Sequence, residues 1–411
     1  MNQEMCGANI MTSEKETGYC WVIFSIFVIS QFVLSVAGFG WGSLAPFLKK
    51  VMTLNSTQIG LICSSFYFTA SIVAFPSGIL IDRCGVKTGV VFWLGLTGIP
   101  LFFLSFIHSY FLFLVFAALS GLGYGIGNPV ASKGLFIWFD QKLRGTVFGI
   151  RQAAVTAGGA TAGIFLVSLS EKMGPFFAIR IISLIIIFVM CFALFFYRDP
   201  SGYSAGAGGV SKKKIEFRII FNNTPLLLLS GYMAMLGLAQ GVIITFLILY
   251  MNEILGYSLI MSGSFLAMLM IGAAAGRIFW GLLSDHIFQG RRKPVLLMIS
   301  AFSFASVAVL ACWINGWPDW LLMIVVIVIG MSSVGWNAIG LVTVSEISDK
   351  EKTASSVGLA STIAWTGLFI GPIAFGSMTD HFGYSAAWSV MAFFCLLSFI
   401  LCLFIPIKNR E

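Results

Sequence analysis

Charged residues are scarce in this chain. Asp, Glu, Lys and Arg make up 10% of its 411 residues, against about 25% in an ordinary soluble domain. Hydrophobic residues make up 58%, and they are spread evenly from residue 21 to residue 406. The composition therefore excludes an ordinary soluble protein and indicates an integral membrane protein in contact with a lipid bilayer.

The residues that usually build catalytic or metal centres are few and scattered. The eight cysteines form no C-x-x-C pair and no Cys/His cluster, and His108, His286 and His381 lie in or near loops. We therefore predict no metal, no cofactor and no enzyme activity. The net charge of +8 does not indicate nucleic-acid binding, because the basic residues lie in short loops between apolar runs.

Twelve apolar runs are long enough to cross a bilayer, which requires roughly 20 residues. The first is too long for a signal-peptide core and follows the polar residues Glu14, Lys15 and Glu16, so we expect it to stay as a helix. The runs cover approximately residues 21–47, 57–81, 88–107, 111–137, 146–169, 175–197, 224–250, 259–284, 294–314, 320–346, 354–378 and 385–406.

The basic loop residues are segregated to one side of the predicted helices. With the N-terminus in the cytoplasm, only Lys49, Lys50 and Lys172 face outward. The 17 on the cytoplasmic side are Lys15, Arg83, Lys87, Lys142, Arg144, Arg198, Lys212, Lys213, Lys214, Arg218, Arg291, Arg292, Lys293, Lys350, Lys352, Lys408 and Arg410. The positive-inside rule therefore predicts a multi-pass protein of the plasma (inner) membrane with both termini in the cytoplasm.

An internal repeat divides the chain into two halves. Gly38, Gly60, Gly78 and Asp82 recur 203 residues later as Gly241, Gly263, Gly281 and Asp285. From the fourth helix onward the offset is 209, and it pairs Gly121 with Gly330, Asn128 with Asn337, Asp140 with Asp349, Gly149 with Gly358 and Gly158 with Gly367. Asn and Asp pairs at constant offsets indicate a gene duplication.

The predicted fold is an all-α membrane protein whose 12 transmembrane helices form two homologous six-helix bundles. The long polar stretch between helices six and seven is rich in Ser, Gly and Lys, as expected of a linker. The predicted segments are a cytoplasmic tail 1–20, a first bundle 21–197, a cytoplasmic linker 198–223, a second bundle 224–406 and a tail 407–411. We expect a monomer.

The loops after helices two and eight share one pattern. The first reads Gly78-Ile79-Leu80-Ile81-Asp82-Arg83-Cys84-Gly85-Val86-Lys87, and the second reads Gly281-Leu282-Leu283-Ser284-Asp285 followed by Gly290-Arg291-Arg292-Lys293. Both resemble the loop signature G-x-x-x-D-(R/K)-x-G-(R/K)-(R/K) of the major facilitator superfamily. The resemblance implies alternating access, with the motif residues biasing one access state. We expect the motif glycines to permit close helix approach.

Four basic residues fall inside the predicted spans. Arg277 lies eight residues before Asp285, about 12 Å from the helix end, which is too deep for easy snorkelling. The run Gly276-Arg277-Ile278-Phe279-Trp280-Gly281 resembles the helix-eight arginine segment of oxalate/formate and monocarboxylate porters. This resemblance implies that Arg277 holds a substrate carboxylate; the alternative is a buried structural ion pair. The lysine that oxalate porters carry on helix eleven is absent here, which argues against oxalate itself.

The other three intramembrane cations lie closer to helix ends. Arg151 on helix five is either a second anion contact or a residue that snorkels to the cytoplasmic face. Lys133 on helix four favours snorkelling, and Arg180 near the outer end of helix six favours an interfacial anchor. The helix centres contain no Asp or Glu, so the predicted cavity favours an anion. The coupling ion, a proton or a counter-anion, is left open.

Polar residues at steps of four on helix four suit a cavity lining or, equally, helix packing. Ser120, Tyr124, Asn128 and Ser132 form this stripe. Asn337, Gln31 and Gln240 on other helices are further candidate substrate contacts. The sequence thus predicts a secondary active carrier of a small organic anion. The rivals are an exporter of drug-like or siderophore-like compounds and a non-transporting membrane sensor or enzyme.

Overall fold

Helices are the only regular secondary structure in the part of the chain that the computed structural model describes, residues 14–199, 223–313, 317–348 and 353–406. In chain order they are α1 (Glu14–Val51), α2 (Ser56–Cys84), α3 (Val86–Leu104), α4 (Tyr110–Trp138), α5 (Gln141–Thr161, a π-helical turn Ala162–Leu166, and Val167–Met173), α6 (Pro175–Phe196), α7 (Thr224–Glu253), α8 (Leu259–Leu282 with a π-helical turn Leu283–Ile287), α9 (Arg292–Ala311), α10 (Asp319–Ile329, a π-helical turn Gly330–Val334, and Asn337–Ile347) and the segment Thr353–Phe404.

The last segment contains two helices rather than one. Its 52 residues would make a rod of about 78 Å, more than twice the hydrocarbon thickness of a bilayer. Gly383 interrupts it with φ 80°, a conformation that favours glycine, so α11 precedes Gly383 and α12 follows it. Within the described residues, eleven segments are long and apolar enough to span a membrane, and the last holds two helices. The predicted twelve-helix fold class is confirmed.

α1 begins at Glu14, within the predicted N-terminal tail 1–20, and its candidate membrane span begins at Gly18. The polar residues at its start thus continue the helix beyond its membrane-spanning part. The rest of that tail, most of the linker with Lys212, Lys213, Lys214 and Arg218, the tail 407–411, and the residues Asp349, Lys350 and Lys352 lie outside the described residues.

The two bundles are closely packed at one end of the molecule. We call one end of the molecule the linker end; α1 and α7 begin there, and α6 and α12 end there. We call the other end the opposite end. In the half toward the opposite end, α1 packs on α7, α2 on α11 and α5 on α8. A Cβ at Gly42 would lie 1.9 Å from the Ile244 carbonyl oxygen, and one at Gly60 would lie 2.2 Å from that of Pro372. Glycine therefore permits this interbundle seam.

Polar contacts reinforce the seam at the opposite end. Lys49 Nζ pairs with Glu253 Oε1 at 2.8 Å, joining α1 to α7. Asp380 of α11 accepts hydrogen bonds from the backbone N–H of Ser56 at 2.9 Å and of Thr57 at 2.8 Å. A carboxylate of the second bundle thus caps the N-terminus of α2 in the first, where free N–H groups and the helix dipole favour negative charge.

The linker end is more open. Among the described residues there, polar contacts stay within one bundle, as in the pair of Arg292 Nη2 with Glu346 Oε1 at 3.0 Å. Among the described helices, the main packing partners of α4 belong to the first bundle, and those of the Asn337–Ile347 part of α10 belong to the second. A Cβ at Gly78 or Gly281 would meet no atom within 4 Å. The expectation that these motif glycines permit close approach is therefore wrong for this state, because the bundles diverge at this end.

Candidate functional site

Arg151 is held inside the first bundle by two amide side chains. It lies on α5 and is only 5% exposed. Its Nη1 donates to Gln31 Oε1 of α1 at 2.7 Å, and its Nη2 donates to Asn128 Oδ1 of α4 at 3.1 Å. The guanidinium therefore points into the bundle and does not snorkel to its end. Gln31 and Asn128, predicted as substrate contacts, accept these two hydrogen bonds from Arg151.

Arg277 approaches the first bundle from α8. Its Nη1 donates to the Gln152 carbonyl oxygen of α5 at 3.5 Å, which is a long hydrogen bond. Its Nε is buried and has no hydrogen-bond partner among the described residues. Because the partner helix belongs to the other bundle, Arg277 lies at the interface between the two halves.

No described carboxylate neutralises either arginine. Ion pairs in the described part of the chain join Lys49 to Glu253 and Arg292 to Asp285 and Glu346, all toward helix ends. The structural ion pair considered for Arg277 is absent among these residues. The site therefore retains two positive charges.

Tyr124 of α4 lies near both Arg151 and Arg277. Its ring packs against Phe66, with ring centroids 5.0 Å apart, and lies over Gly38 of α1. The structure thus brings Arg151, Arg277, Tyr124, Gln31 and Asn128 together, as a site between the bundles requires.

Gly38 controls the position of Tyr124. A Cβ at Gly38 would lie 3.0 Å from Tyr124 Cε2, so Gly38→Ala must displace the ring by several tenths of an ångström. Binding groups tolerate shifts of only about 0.5 Å, and we expect anion affinity to fall about tenfold. Titration of the purified protein with inorganic phosphate measures this effect. Gly149→Ala is the control, since a Cβ there meets no atom within 4 Å; equal affinity of both variants would contradict the prediction.

The second bundle also holds an amide pair, between helices α7 and α10. Asn337 Nδ2 of α10 donates to Gln240 Oε1 of α7 at 3.2 Å and to the Val334 carbonyl oxygen at 3.2 Å. The π-helical turn Gly330–Val334 ends three residues before Asn337, and its last carbonyl oxygen accepts one of these hydrogen bonds. Like Gln31 and Asn128, these two amides are bonded to a protein group.

Other predicted polar residues lie away from the two arginines. Lys133 Nζ donates to the Ile81 carbonyl oxygen at 3.3 Å and lines, with Ser132, an open groove of about 510 Å³ along the first bundle. Ser120 donates to the Thr97 carbonyl oxygen of α3 and so serves packing. Arg180 lies over the Phe106 ring, 4.0 Å from its centroid.

The second copy of the loop motif forms an ion-pair network within its bundle. Arg292 Nη1 lies 2.5 Å from Asp285 Oδ1, and the same guanidinium pairs with Glu346 of α10. Sequence analysis did not predict this partner, because Arg292 and Glu346 lie 54 positions apart. Arg291 is exposed.

The first copy of the motif has a different partner. Gly85 ends α2 and begins α3 with φ 86°, a left-handed conformation that requires glycine. Arg83 is exposed, and the side chain of Asp82 lies outside the described part of the chain. The carboxylate of Asp199, just after α6, accepts a hydrogen bond from the backbone N–H of Lys87, and burial raises the pKa of Asp199.

Comparison with known proteins identifies the family. A family model described as Major Facilitator Superfamily matches residues 27–289 and 233–411. The chain belongs to the major facilitator superfamily. In keeping with this family, it is a multi-pass membrane transporter and not an enzyme, as predicted.

Individual relatives are distant but extend over nearly the whole chain. The membrane sensor protein UhpC of Salmonella typhimurium is 23% identical over 95% of this chain and 90% of its own. A probable hexose phosphate transport protein of Chlamydia pneumoniae is 24% identical over 89% of this chain and 86% of its own. The structure of a bacterial homologue of the human lysosomal transporter Spinster matches with a TM-score of 0.79 at 15% identity, covering 96% and 97% of the two chains. This last likeness shows the shared fold.

Proposed function

We propose that the protein transports a small organic anion by rocker-switch alternating access. The observation that supports this is the pair of guanidinium groups, one from each bundle, that have no carboxylate partner among the described residues. Arg277 is the principal counter-charge, and Arg151 and Tyr124 complete the anion site.

The energetics favour an anionic ligand. An arginine near the bilayer centre costs about 2.5–3.5 kcal/mol on insertion scales. Neutral amide and carbonyl oxygens recover only part of this cost for Arg151 and Arg277. An oxyanion offers the charge and the two-oxygen geometry that a guanidinium fork binds well. Because each bundle contributes one arginine, a bound anion would also draw the two halves together.

The closed opposite end and open linker end suit one state of an alternating-access cycle. The positive-inside rule assigns the linker end to the cytoplasm, which makes this the inward-facing state. In the outward-facing state the seam at Gly42 and Gly60 would separate. The linker ends of the bundles would then meet, and Gly78 and Gly281 would permit that contact.

The substrate is a carboxylate or a phosphate ester. The helix-eight arginine segment resembles that of carboxylate porters, whereas the relative from Chlamydia pneumoniae is named as a hexose phosphate transport protein. A carboxylate presents two coplanar oxygens to a guanidinium, and a phosphate ester presents a face of terminal oxygens. Glucose 6-phosphate and oxalate are therefore probes of the two classes, oxalate serving as a compact carboxylate and not as the expected substrate, because the helix-eleven lysine of oxalate porters is absent.

Flux measurements distinguish anion transport from the sensor and drug-exporter alternatives. Liposomes containing the protein should accumulate labelled glucose 6-phosphate or oxalate faster than protein-free liposomes, and Arg277→Ala should abolish the difference. Stabilisation of the protein by an anion without any flux would indicate a sensor, the activity named for the UhpC relative. Export of an apolar drug-like compound that is unaffected by Arg277→Ala would indicate the drug-exporter alternative.

A further inference from the structure

Gln31 and Asn128 bind the Arg151 guanidinium through neutral amide oxygens, although a carboxylate at either position could accept a hydrogen bond of the same geometry. Each amide accepts one hydrogen bond from a terminal nitrogen of the guanidinium, at 2.7 and 3.1 Å. A carboxylate at either place would form the same bond and also cancel the charge. Amides orient the guanidinium while leaving its charge available to the cavity.

The repeat supports a special purpose for this arrangement. The offset of 209 pairs Asn128 with Asn337 and Arg151 with Ala360. In the second bundle, where Ala360 replaces the arginine, Asn337 donates directly to Gln240 at 3.2 Å. The first bundle also has one amide on each of the equivalent helices α1 and α4, and the guanidinium lies between them. At the offset of 203, however, Gln31 corresponds to Ala234 and Gln240 to Ala37. The two halves therefore share the helix-four asparagine but not the position of its glutamine neighbour, and the arginine is particular to the first half.

We propose that Gln31 and Asn128 are positioning residues that fix the Arg151 guanidinium and preserve its positive charge, so that they determine anion affinity without binding the substrate. This inference rests on the proposed function, since it concerns the same site. It reassigns two residues for which sequence analysis predicts direct substrate contact. The Nε atoms of both arginines are buried and lack partners among the described residues, which agrees with a site that keeps its charge.

Asn128→Asp separates positioning from packing. The new carboxylate is nearly isosteric with the amide and should pair with Arg151. We expect a higher melting temperature of the unliganded protein together with an affinity for glucose 6-phosphate and inorganic phosphate that is at least tenfold weaker. A purely structural role for Asn128 would move stability and affinity in the same direction.

A double-mutant cycle with Arg151→Gln tests the inference without any ligand. In the Arg151→Gln background the carboxylate has no guanidinium to pair with, so Asn128→Asp should lower the melting temperature. The matched control is Asn337→Asp, which loses the donation to Gln240 and should also lower it. An equal shift from Asn128→Asp in both backgrounds would overturn the inference.

The ligand-binding measurements distinguish a failure of the proposed function from a failure of this inference. If the wild-type protein binds neither phosphate, glucose 6-phosphate nor oxalate, the proposed function fails, and the ligand-free cycle still decides whether Asn128 acts on Arg151. If the wild type binds an anion and Asn128→Asp binds it equally well, the inference fails and the proposed function stands.

Discussion

Replacing Arg277 by alanine is expected to weaken anion binding about a hundredfold and to stabilise the unliganded protein. Loss of one partner of a buried charge pair costs about 2–5 kcal/mol of binding, and about 2.8 kcal/mol corresponds to a hundredfold in affinity. In the unliganded protein Arg277 has a buried Nε without a partner among the described residues and only a long bond to Gln152. Its removal should therefore gain about 1–3 kcal/mol of stability.

Two further variants sharpen this prediction. Arg277→Lys keeps the charge but not the planar fork, so an intermediate loss of about tenfold is expected. Arg180→Ala is the matched control, because Arg180 is also an intramembrane arginine but lies against Phe106 and Ser105 at the far side of the first bundle. Calorimetric titration with glucose 6-phosphate and oxalate, together with melting curves, measures both effects. Unchanged affinity in Arg277→Ala would contradict the proposed anion site.

Replacing Gly60 by leucine is expected to open the molecule at the opposite end. The new side chain begins at a Cβ only 2.2 Å from the Pro372 carbonyl oxygen, so α2 and α11 must separate. Overpacking of this kind costs about 1–3 kcal/mol, which shifts a two-state equilibrium by about 5- to 150-fold. The clash raises the free energy of the state in which the seam is closed. It does not raise that of the outward-facing state, in which α2 and α11 are separated.

Cys63 is a native reporter for this opening. It lies on α2, is 1% exposed, and contacts the Thr245 side chain of α7 across the seam. In a variant that retains Cys63 as its sole cysteine, Gly60→Leu should raise the rate of maleimide labelling at least tenfold. Gly149→Leu is the control, because a side chain there meets open space.

A less disruptive variant tests the same prediction in case Gly60→Leu does not fold. Asp380→Asn weakens the cap on α2, since an amide has one accepting oxygen for the N–H groups of Ser56 and Thr57. It should raise Cys63 labelling in the same direction but less strongly. Protection of Cys63 in both variants would show that the seam does not separate in this way.

The membrane-spanning framework is predictable from sequence because bilayer thickness constrains each helix directly. A spanning helix needs a long apolar run, and breaks between such runs are marked by charge, Gly or Pro. Even the short turn between α11 and α12 is visible, since Gly383 separates two apolar runs. The start of α1 at Glu14 is not visible in this way, because the polar first turns of a helix carry no apolar signal.

The candidate site is only partly predictable. The cost of burying a cation identifies Arg277 and Arg151 from sequence alone. Their partners are not identifiable, because Gln31 and Asn128 lie 120 and 23 residues from Arg151 and an amide has no sequence signature for its acceptor role. Asp380 is a further example: its partners lie more than 300 residues away, and the sequence carries no signal for a helix cap that comes from the other bundle.

A comparison of glucose 6-phosphate with glucose tests the central claim most directly. The two probes share a sugar and differ in the phosphate, and inorganic phosphate and oxalate complete the series. Measured by thermal shift at constant ionic strength, the anions should stabilise the wild-type protein, glucose should not, and Arg277→Ala should lose the effect. Equal stabilisation by glucose and by the anions, or stabilisation by anions that persists in Arg277→Ala, would contradict a cavity whose uncompensated positive charge selects the substrate.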